Sequence, residues 1–167
     1  MTPGNYAVSV CRIEPENNSH VICEAFASSG KDIVFVGNWE RSEYSRELKQ
    51  RYAEYSNIRM VNAVYDLDEL YALRNRCCCY VHGHSAGGTN PSLVEAMFFG
   101  KPVLAYDVVY NRETTENKAC YFKTAEELTE LVCRKTIDGA AMKEIAMRRY
   151  TWKHIAGQYE ALYDKSV

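Results

Sequence analysis

No run of residues in this 167-residue chain is long and apolar enough to span a bilayer, and the opening MTPGNY lacks the basic-then-apolar layout of a signal peptide. A cytoplasmic protein is the expectation. Charge of one sign is also missing: 20 basic and 22 acidic residues leave a formal net charge of −2. That balance gives no electrostatic footprint for a polyanion, so nucleic acid is not an expected partner. The chain has no low-complexity segment, no linker-like run of Pro, Gly and Ser, and no internal repeat beyond the alternation of strand and helix. Its length fits one compact domain, residues 1–167. Cysteine is present, but its count of seven is odd and C-x-x-C is absent, which argues against a disulfide framework. Cys77, Cys78 and Cys79 stand together in an expected strand, where neighbours point to opposite faces and cannot converge on one metal. Buried, reduced thiols are the expectation.

What is present is a regular alternation. Expected strands are YAVSVCR from Tyr6, DIVFVGN from Asp32, IRMVNAV from Ile58, CCCYVHG from Cys77, PVLAYD from Pro102 and ACYF from Ala119. Between them, apolar residues recur at helical spacing: Val21, Ile22, Ala25 and Phe26; then Tyr44, Leu48, Tyr52 and Tyr55; then Leu67, Leu70 and Tyr71. Near-continuous apolar strands imply a sheet covered on both faces. Strict βα alternation predicts right-handed crossovers and a doubly wound, parallel, Rossmann-like α/β sheet in three layers with about six strands. Helices follow at the C-terminal end, marked by Leu128, Leu131 and Val132, by Ala141, Met142 and Ile145, and by the apolar stripe of Trp152, Ile155, Ala156, Tyr159, Leu162 and Tyr163. Such a stripe most often packs on its own domain, or else in part against a neighbour.

The stretch HGHSAGGTNPSLVEAMFFGKPVLAYD, His82 to Asp107, carries the densest chemistry. Gly87 and Gly88 let a backbone approach a ligand closely, and Asn90 before Pro91 is the favoured order of N-cap and first helical residue. Free N–H groups and the positive end of the helix dipole suit a phosphate there. In open α/β sheets ligands bind beyond the carboxyl ends of strands. Those ends carry Arg12, then Gly37 and Asn38, then His82 to Gly88, then Tyr106 and Asp107. Arg12 reads as an isolated base aimed at the same anion, against the alternative of a solvated loop arginine. Glu95 either takes hydrogen bonds from a ribose diol or is an ordinary helix carboxylate; the residues alone leave both open. His82 and His84 share a face if the strand reaches residue 84, but no third ligand is evident and no metal is expected. His84 either lines the pocket as a neutral hydrogen-bonding group or closes the strand end. Asp107 and Glu113 flank an expected turn, VVYNRE.

These pieces resemble the C-terminal, donor-binding domain of retaining glycosyltransferases of family four, built from two Rossmann-like halves in the B-type architecture. The resemblance runs from CRIEPENNSHVICEAF through FVGN to the Trp152 helix and is strongest at SLVEAMFFGKPVLA. HGH, GGTNPS and NRE are similar to a subgroup that makes bacterial cell-surface polysaccharide or lipopolysaccharide, rhamnosyltransferases included. The resemblance implies transfer of a hexose or rhamnose from a nucleoside diphosphate sugar to an acceptor hydroxyl, with retention and with no further cofactor or metal. Arg12, Glu95 and His84 are then the expected catalytic residues, and Arg12, Gly87, Gly88, Thr89, Asn90 and Glu95 the donor-binding ones. Arg12 matches the arginine on the donor diphosphate and Glu95 the second glutamate of a Glu–seven residues–Glu motif, which holds the ribose. Two positions depart from the pattern. The first glutamate of the motif falls at Gly87, and a lysine that follows the arginine falls at the neutral Asn17 or Asn18. His84 or the Asp107 loop then supplies the sugar contact, a deoxysugar is the donor, or activity is lost.

The N-terminal, acceptor-binding half of such an enzyme is expected to be absent, since Met1 stands almost directly before strand one. Nucleotide binding without turnover is the expectation for this piece, and a peripheral position at the inner membrane face for the full-length enzyme. Two other readings share the fold. A sugar-nucleotide epimerase needs acid/base groups facing the sugar, and Gly87 removes one. A signalling receiver needs an acidic cluster after strand one and an Asp ending strand three, where Arg12 and the NAV run at Asn62 stand.

Overall fold

The computed structural model describes residues 4–164; residues 1–3 and 165–167 of the expected 1–167 domain lie outside the described residues. Strand β1 (Tyr6–Val10) leads through a 3-10 turn at Pro15–Asn17 into helix α1 (Ser19–Ser29). There follow β2 (Asp32–Val36), α2 (Glu43–Arg51), β3 (Ile58–Val61), α3 (Leu67–Arg76), β4 (Cys79–His82), α4 (Pro91–Met97), β5 (Val103–Tyr106), α5 (Val109–Thr114) and β6 (Cys120–Phe122). Helices α6 (Ala125–Cys133), α7 (Ala140–Arg149) and α8 (Trp152–Asp164) complete the order. The six strands form one parallel sheet in the order β3-β2-β1-β4-β5-β6. This is the doubly wound Rossmann-like order, and its direction reverses between β1 and β4.

Both faces are covered because both faces of each strand are apolar. Ala7, Ile33, Phe35, Val81 and Leu104 point to one side, where Ile22, Phe26, Leu48 and Leu128 from α1, α2 and α6 meet them. Val8, Val34, Val36, Tyr80 and Val103 point to the other and pack on Leu93, Met97, Met142 and Ile145 from α4 and α7. Each such buried side chain contributes about 1.5–3 kcal/mol. Helix starts are set locally. Ser42 and Ser45 exchange backbone-to-hydroxyl bonds of 3.1 and 3.0 Å at α2, and the Asp66 side chain accepts from the Glu69 N–H at 2.8 Å at α3. No helix among the described residues is long and apolar enough to cross a membrane.

Several elements differ from the expectation. Residues 77 and 78 do not belong to β4: Cys77 ends α3, donating its thiol to the Arg74 carbonyl at 3.0 Å, and Cys78 is exposed. Cys133 is exposed as well, so the thiols are not uniformly buried. Residues 62–64 leave β3 early, and residues 109–114 form the helix α5 rather than a turn. The inward stripe of α3 is half-buried Leu70 and Leu73 with buried Arg74, leading to buried Cys77 at its C-cap, not Leu67, Leu70 and Tyr71; Leu67 is 80% and Tyr71 59% exposed. Both stripes have helical spacing, and the one that faces inward includes a charge that apolar periodicity does not register. Tyr55 lies past the end of α2 and is exposed. Helix α8 does not pack its stripe on this domain: Trp152, Tyr159, Leu162 and Tyr163 are all exposed.

His82, the last residue of β4, is 2% exposed, stacked on Tyr80 with ring centroids 6.1 Å apart, and its Nε2 finds no hydrogen-bond partner. Burial, with His84 beside it, pushes its pKa down to about 3. The unfolded chain therefore takes up a proton near pH 6.5 that the folded chain refuses. Stability should fall by about 1.4 kcal/mol per pH unit as pH drops below about 6.5, a window above that of the carboxylates. Urea unfolding at pH 7, 6 and 5 should show this slope in the wild type and its loss in His82→Phe; parallel profiles would assign the slope to other groups.

Candidate functional site

A cleft of about 290 Å³ opens beyond the carboxyl ends of β1, β2 and β3, beside the first turn of α4. Arg12 and Ile13 line it from the β1 end, Gly37, Asn38 and Arg41 from the β2 end, Val64 and Tyr65 from the β3 end, and Ser92 from α4. It thus sits at the switch point between β1 and β4, where the two crossovers diverge and leave a crevice. The β2 loop is fixed by Trp39, which is buried, donates Nε1–H to the Phe35 carbonyl at 3.2 Å and meets the Phe35 ring edge-on at 5.1 Å. Asn38 and Arg41 are held at the mouth on either side of this anchor.

Three connections stitch the loop after β1 to the loop after β4. Asn18 Nδ2 donates to the Gly83 carbonyl at 2.8 Å, Ser85 Oγ to the Glu16 carbonyl at 2.9 Å, and the Ser85 N–H to the same carbonyl at 2.8 Å. Gly83 is where the loops come closest: a Cβ there would press into the Asn17 carbonyl oxygen and meet Ile22 Cδ1 at 3.0 Å. The buried Asn17 side chain donates from Nδ2 to the Arg12 carbonyl at 2.8 Å, so its Oδ1 faces His84 Nδ1 at 2.7 Å. That oxygen only accepts, so a neutral His84 carries its proton on Nδ1 and a lone pair on Nε2. Asn111 of α5 donates to the carbonyls of His84 and Tyr106 at 2.9 and 2.8 Å, joining the β4 and β5 ends.

The expected site residues fall at different places around this frame. Arg12 lines the cleft, but it is not isolated: its guanidinium meets Glu14 at 3.1 Å and Glu16 at 3.8 Å. Gly87, Gly88 and Thr89 form an exposed loop with left-handed backbone at both glycines, φ +52° and +62°. Asn90 is the N-cap of α4 as expected, and its Oδ1 is occupied by the Ser92 N–H at 3.0 Å. The N–H groups of residues 87–90 bond no acceptor among the described residues. Glu95 does not stand alone; its Oε2 meets Nη2 of the buried Arg74 at 2.8 Å. His84 is half-buried beside the cleft loops, and the strand ends before it, so His82 and His84 do not continue one strand face; their rings are tilted by 56°. Asp107 pairs with Arg112 of α5, which holds its carboxyl below the usual carboxylate range. Arg41, Tyr65 and Ser92 are absent from the sequence reading: a β2-loop arginine, an exposed tyrosine and a helix serine look ordinary until the fold places them at one mouth.

The glycosyl transferases group 1 family matches residues 2–143. The chain belongs to that family. Among solved structures, this chain is similar to Anabaena HepE in complex with UDP, at 19% identity and a TM-score of 0.83, over 98% of this chain and 49% of HepE. It is also similar to the sucrose-phosphate synthase of Thermosynechococcus elongatus, at 19% identity and a TM-score of 0.83, over 97% of this chain and 45% of the synthase. The C-terminal domain of the group 1 glycosyl transferase LpcC of Francisella tularensis aligns at 17% identity and a TM-score of 0.66, over 95% of this chain and 88% of that domain. The chain thus spans about half the length of HepE and of the synthase.

The loop frame makes opposite demands on two of its glycines. Gly83→Ala should cost about 2–4 kcal/mol, because backbone must move to admit the methyl group. Gly87→Ala meets no atom within 4 Å and should cost only about 1 kcal/mol of left-handed strain. Urea unfolding of the two variants checks the order, which would reverse if the loops were not tightly apposed.

Proposed function

We propose that the cleft binds a nucleoside diphosphate sugar, and that the enzyme containing this chain transfers the sugar to an acceptor hydroxyl with retention at the anomeric carbon. The observation that carries the reading is the cleft at the switch point of the sheet. Two guanidiniums, Arg12 and Arg41, line it, and so does Ser92 of α4, which directly follows Pro91 and the loop 87–90 whose N–H groups are unbonded among the described residues. The crystal structures of HepE with UDP and with UDP-glucose support the same ligand class.

In this reading Arg12 leaves Glu14 and Glu16 for the diphosphate, and Arg41, which has no side-chain partner among the described residues, supplies the second positive charge that Asn17 and Asn18 lack. Both asparagines are occupied in stitching loops. Glu95 accepts from the ribose hydroxyls. His84, with Nδ1 turned to the Asn17 oxygen and a lone pair on Nε2, accepts from a donor-sugar hydroxyl in place of the carboxylate missing at Gly87, which suits a deoxysugar such as rhamnose. Negative charge grows on the diphosphate as the glycosidic bond breaks, and cations and amides fixed beforehand stabilise it without reorganising. The departing phosphate takes up the acceptor proton. Assembly of bacterial cell-surface polysaccharide or lipopolysaccharide, at the cytoplasmic face of the inner membrane, is the proposed setting, with the acceptor bound by an N-terminal half outside this chain.

Calorimetry with UDP, GDP, ADP and dTDP and with the matching nucleosides tests the reading. One diphosphate should bind the wild type, and Arg12→Ala and Arg41→Ala should each weaken it about 10- to 100-fold while leaving the nucleoside within about threefold. Equal losses for diphosphate and nucleoside, or a wild type that binds none of the four, would overturn it.

A further inference from the structure

Arg74 stands out from every other charged side chain of the molecule. Among the described residues it is the only lysine, arginine, aspartate or glutamate that is buried, with 9% of its side chain exposed. It lies on the α3 stripe otherwise formed by Leu70, Leu73 and Cys77. Its Nη2 meets Glu95 Oε2 at 2.8 Å, and its Nε is buried without a hydrogen-bond partner. Removing a guanidinium from water is costly, and one contact to a carboxylate that is itself 59% exposed, with a donor left over, offsets that cost poorly. A methionine or leucine would fill the same stripe without the penalty. The stability of the α3–α4 contact therefore does not account for the arginine.

What the arginine does is fix Glu95. A largely exposed glutamate on a helix exchanges among rotamers and loses that freedom on binding a ligand. Glu95 is one turn along α4 from Ser92, which lines the cleft. With Oε2 held by a rigid, buried fork on the neighbouring helix, Oε1 keeps its lone pairs free. We propose that Arg74 is a positioning residue that sets the Glu95 carboxylate in advance for a ribose diol at the edge of the cleft. The proposal rests on the reading of the cleft as a nucleotide site with Glu95 on the ribose, and it adds the group that orients Glu95.

The test compares UDP, GDP and ADP with their 2′,3′-dideoxy forms by calorimetry, on wild type, Arg74→Met, Arg74→Lys and Glu95→Gln, with thermal unfolding run on each. The wild type should prefer the ribonucleotide it binds over the dideoxy form about tenfold. Arg74→Met and Glu95→Gln should both bring that ratio close to one while the dideoxy affinity changes less than about twofold. Arg74→Lys, which keeps the charge without the fork, should give an intermediate ratio. A purely structural arginine would lower the melting temperature and weaken both forms alike, leaving the ratio intact. If Arg74→Met and Arg74→Lys keep the ratio and Glu95→Gln loses it, the positioning role is wrong and the ribose reading stands. Should Glu95→Gln also keep it, or the wild type bind none of the three, the ribose reading fails and the inference fails with it. Were Arg74→Met not to fold, the Arg74→Lys ratio decides alone.

Discussion

The apposition of Gly83 to the Asn17 carbonyl governs the geometry of the cleft. At a switch point the crossovers after β1 and β4 leave in opposite directions, which opens a crevice but does nothing to fix the loops that border it. Fixing them takes a position where one backbone can lie directly against another, and only a residue without Cβ permits it. Once the two loops touch, short polar side chains can reach across: Asn18 to Gly83, Ser85 to Glu16, Asn17 to His84. Each bond satisfies a loop carbonyl or ring nitrogen that would otherwise be left partly desolvated. The orientation of His84 and the direction of the Arg12 main chain are both consequences of where Asn17 is held.

The charge of the cleft follows from the same loop. Arg12 shares it with Glu14 and Glu16, and the Glu16 carboxyl is held below its usual range by its own backbone N–H and by Glu14. An anion entering here competes with two local carboxylates, which keeps the guanidinium oriented in the empty cleft but lowers the net field it offers. Arg41 restores that field from a different crossover, on a loop whose course is fixed by buried Trp39 rather than by the ion pairs. Orientation and attraction are thus divided between two arginines, and exposed charges of this kind are attenuated by salt. Strong attraction of a multiply charged ligand would come from the combination of both cations with the unbonded amides before α4, not from either arginine alone.

Legibility in the sequence tracks the range of the interaction that decides each feature. The strand order class, the cover on both faces and the Asn90–Pro91 helix start were readable because alternation, apolar runs and caps are encoded within a few residues. The rotation of α3 was not, since Leu67–Leu70–Tyr71 and Leu70–Leu73–Arg74 are equally periodic, and what selects between them is the core that Leu73 and Cys77 meet at Tyr6, Tyr80 and Leu93, which only the closed fold assembles. The apolar stripe of α8 was read as packing on its own domain or in part against a neighbour, and its exposed aromatic residues show that amphipathicity specifies a face without specifying what meets it. The helix at Val109–Thr114 was missed because Asp107 and Glu113 were read as flanking a turn, whereas within it Asn111 is buried and spends its amide on two strand-end carbonyls. Among the site residues, Arg12 was visible as a base at a strand end; its acidic neighbours were adjacent in sequence and their effect was underrated. Arg41, Tyr65 and the Arg74 contact could be found only by closing the fold.

The two departures from the family pattern are linked through one side chain. A lysine at position 17 could not replace the asparagine without removing an acceptor: Asn17 bonds the Arg12 carbonyl through nitrogen and His84 through oxygen, and an ammonium offers donors alone. With a donor in that place, His84 would be forced to turn its lone pair toward it and carry its N–H on the other ring nitrogen. With asparagine, the imidazole presents an acceptor instead. A carboxylate at position 87 would also present acceptors, yet φ +52° at Gly87 strains any side chain there. In the proposed reading, the neutral asparagine lets His84 offer an acceptor on a backbone that needs no strain, part of what a glutamate at 87 would offer, while Arg41 at the cleft supplies the positive charge that Asn17 does not.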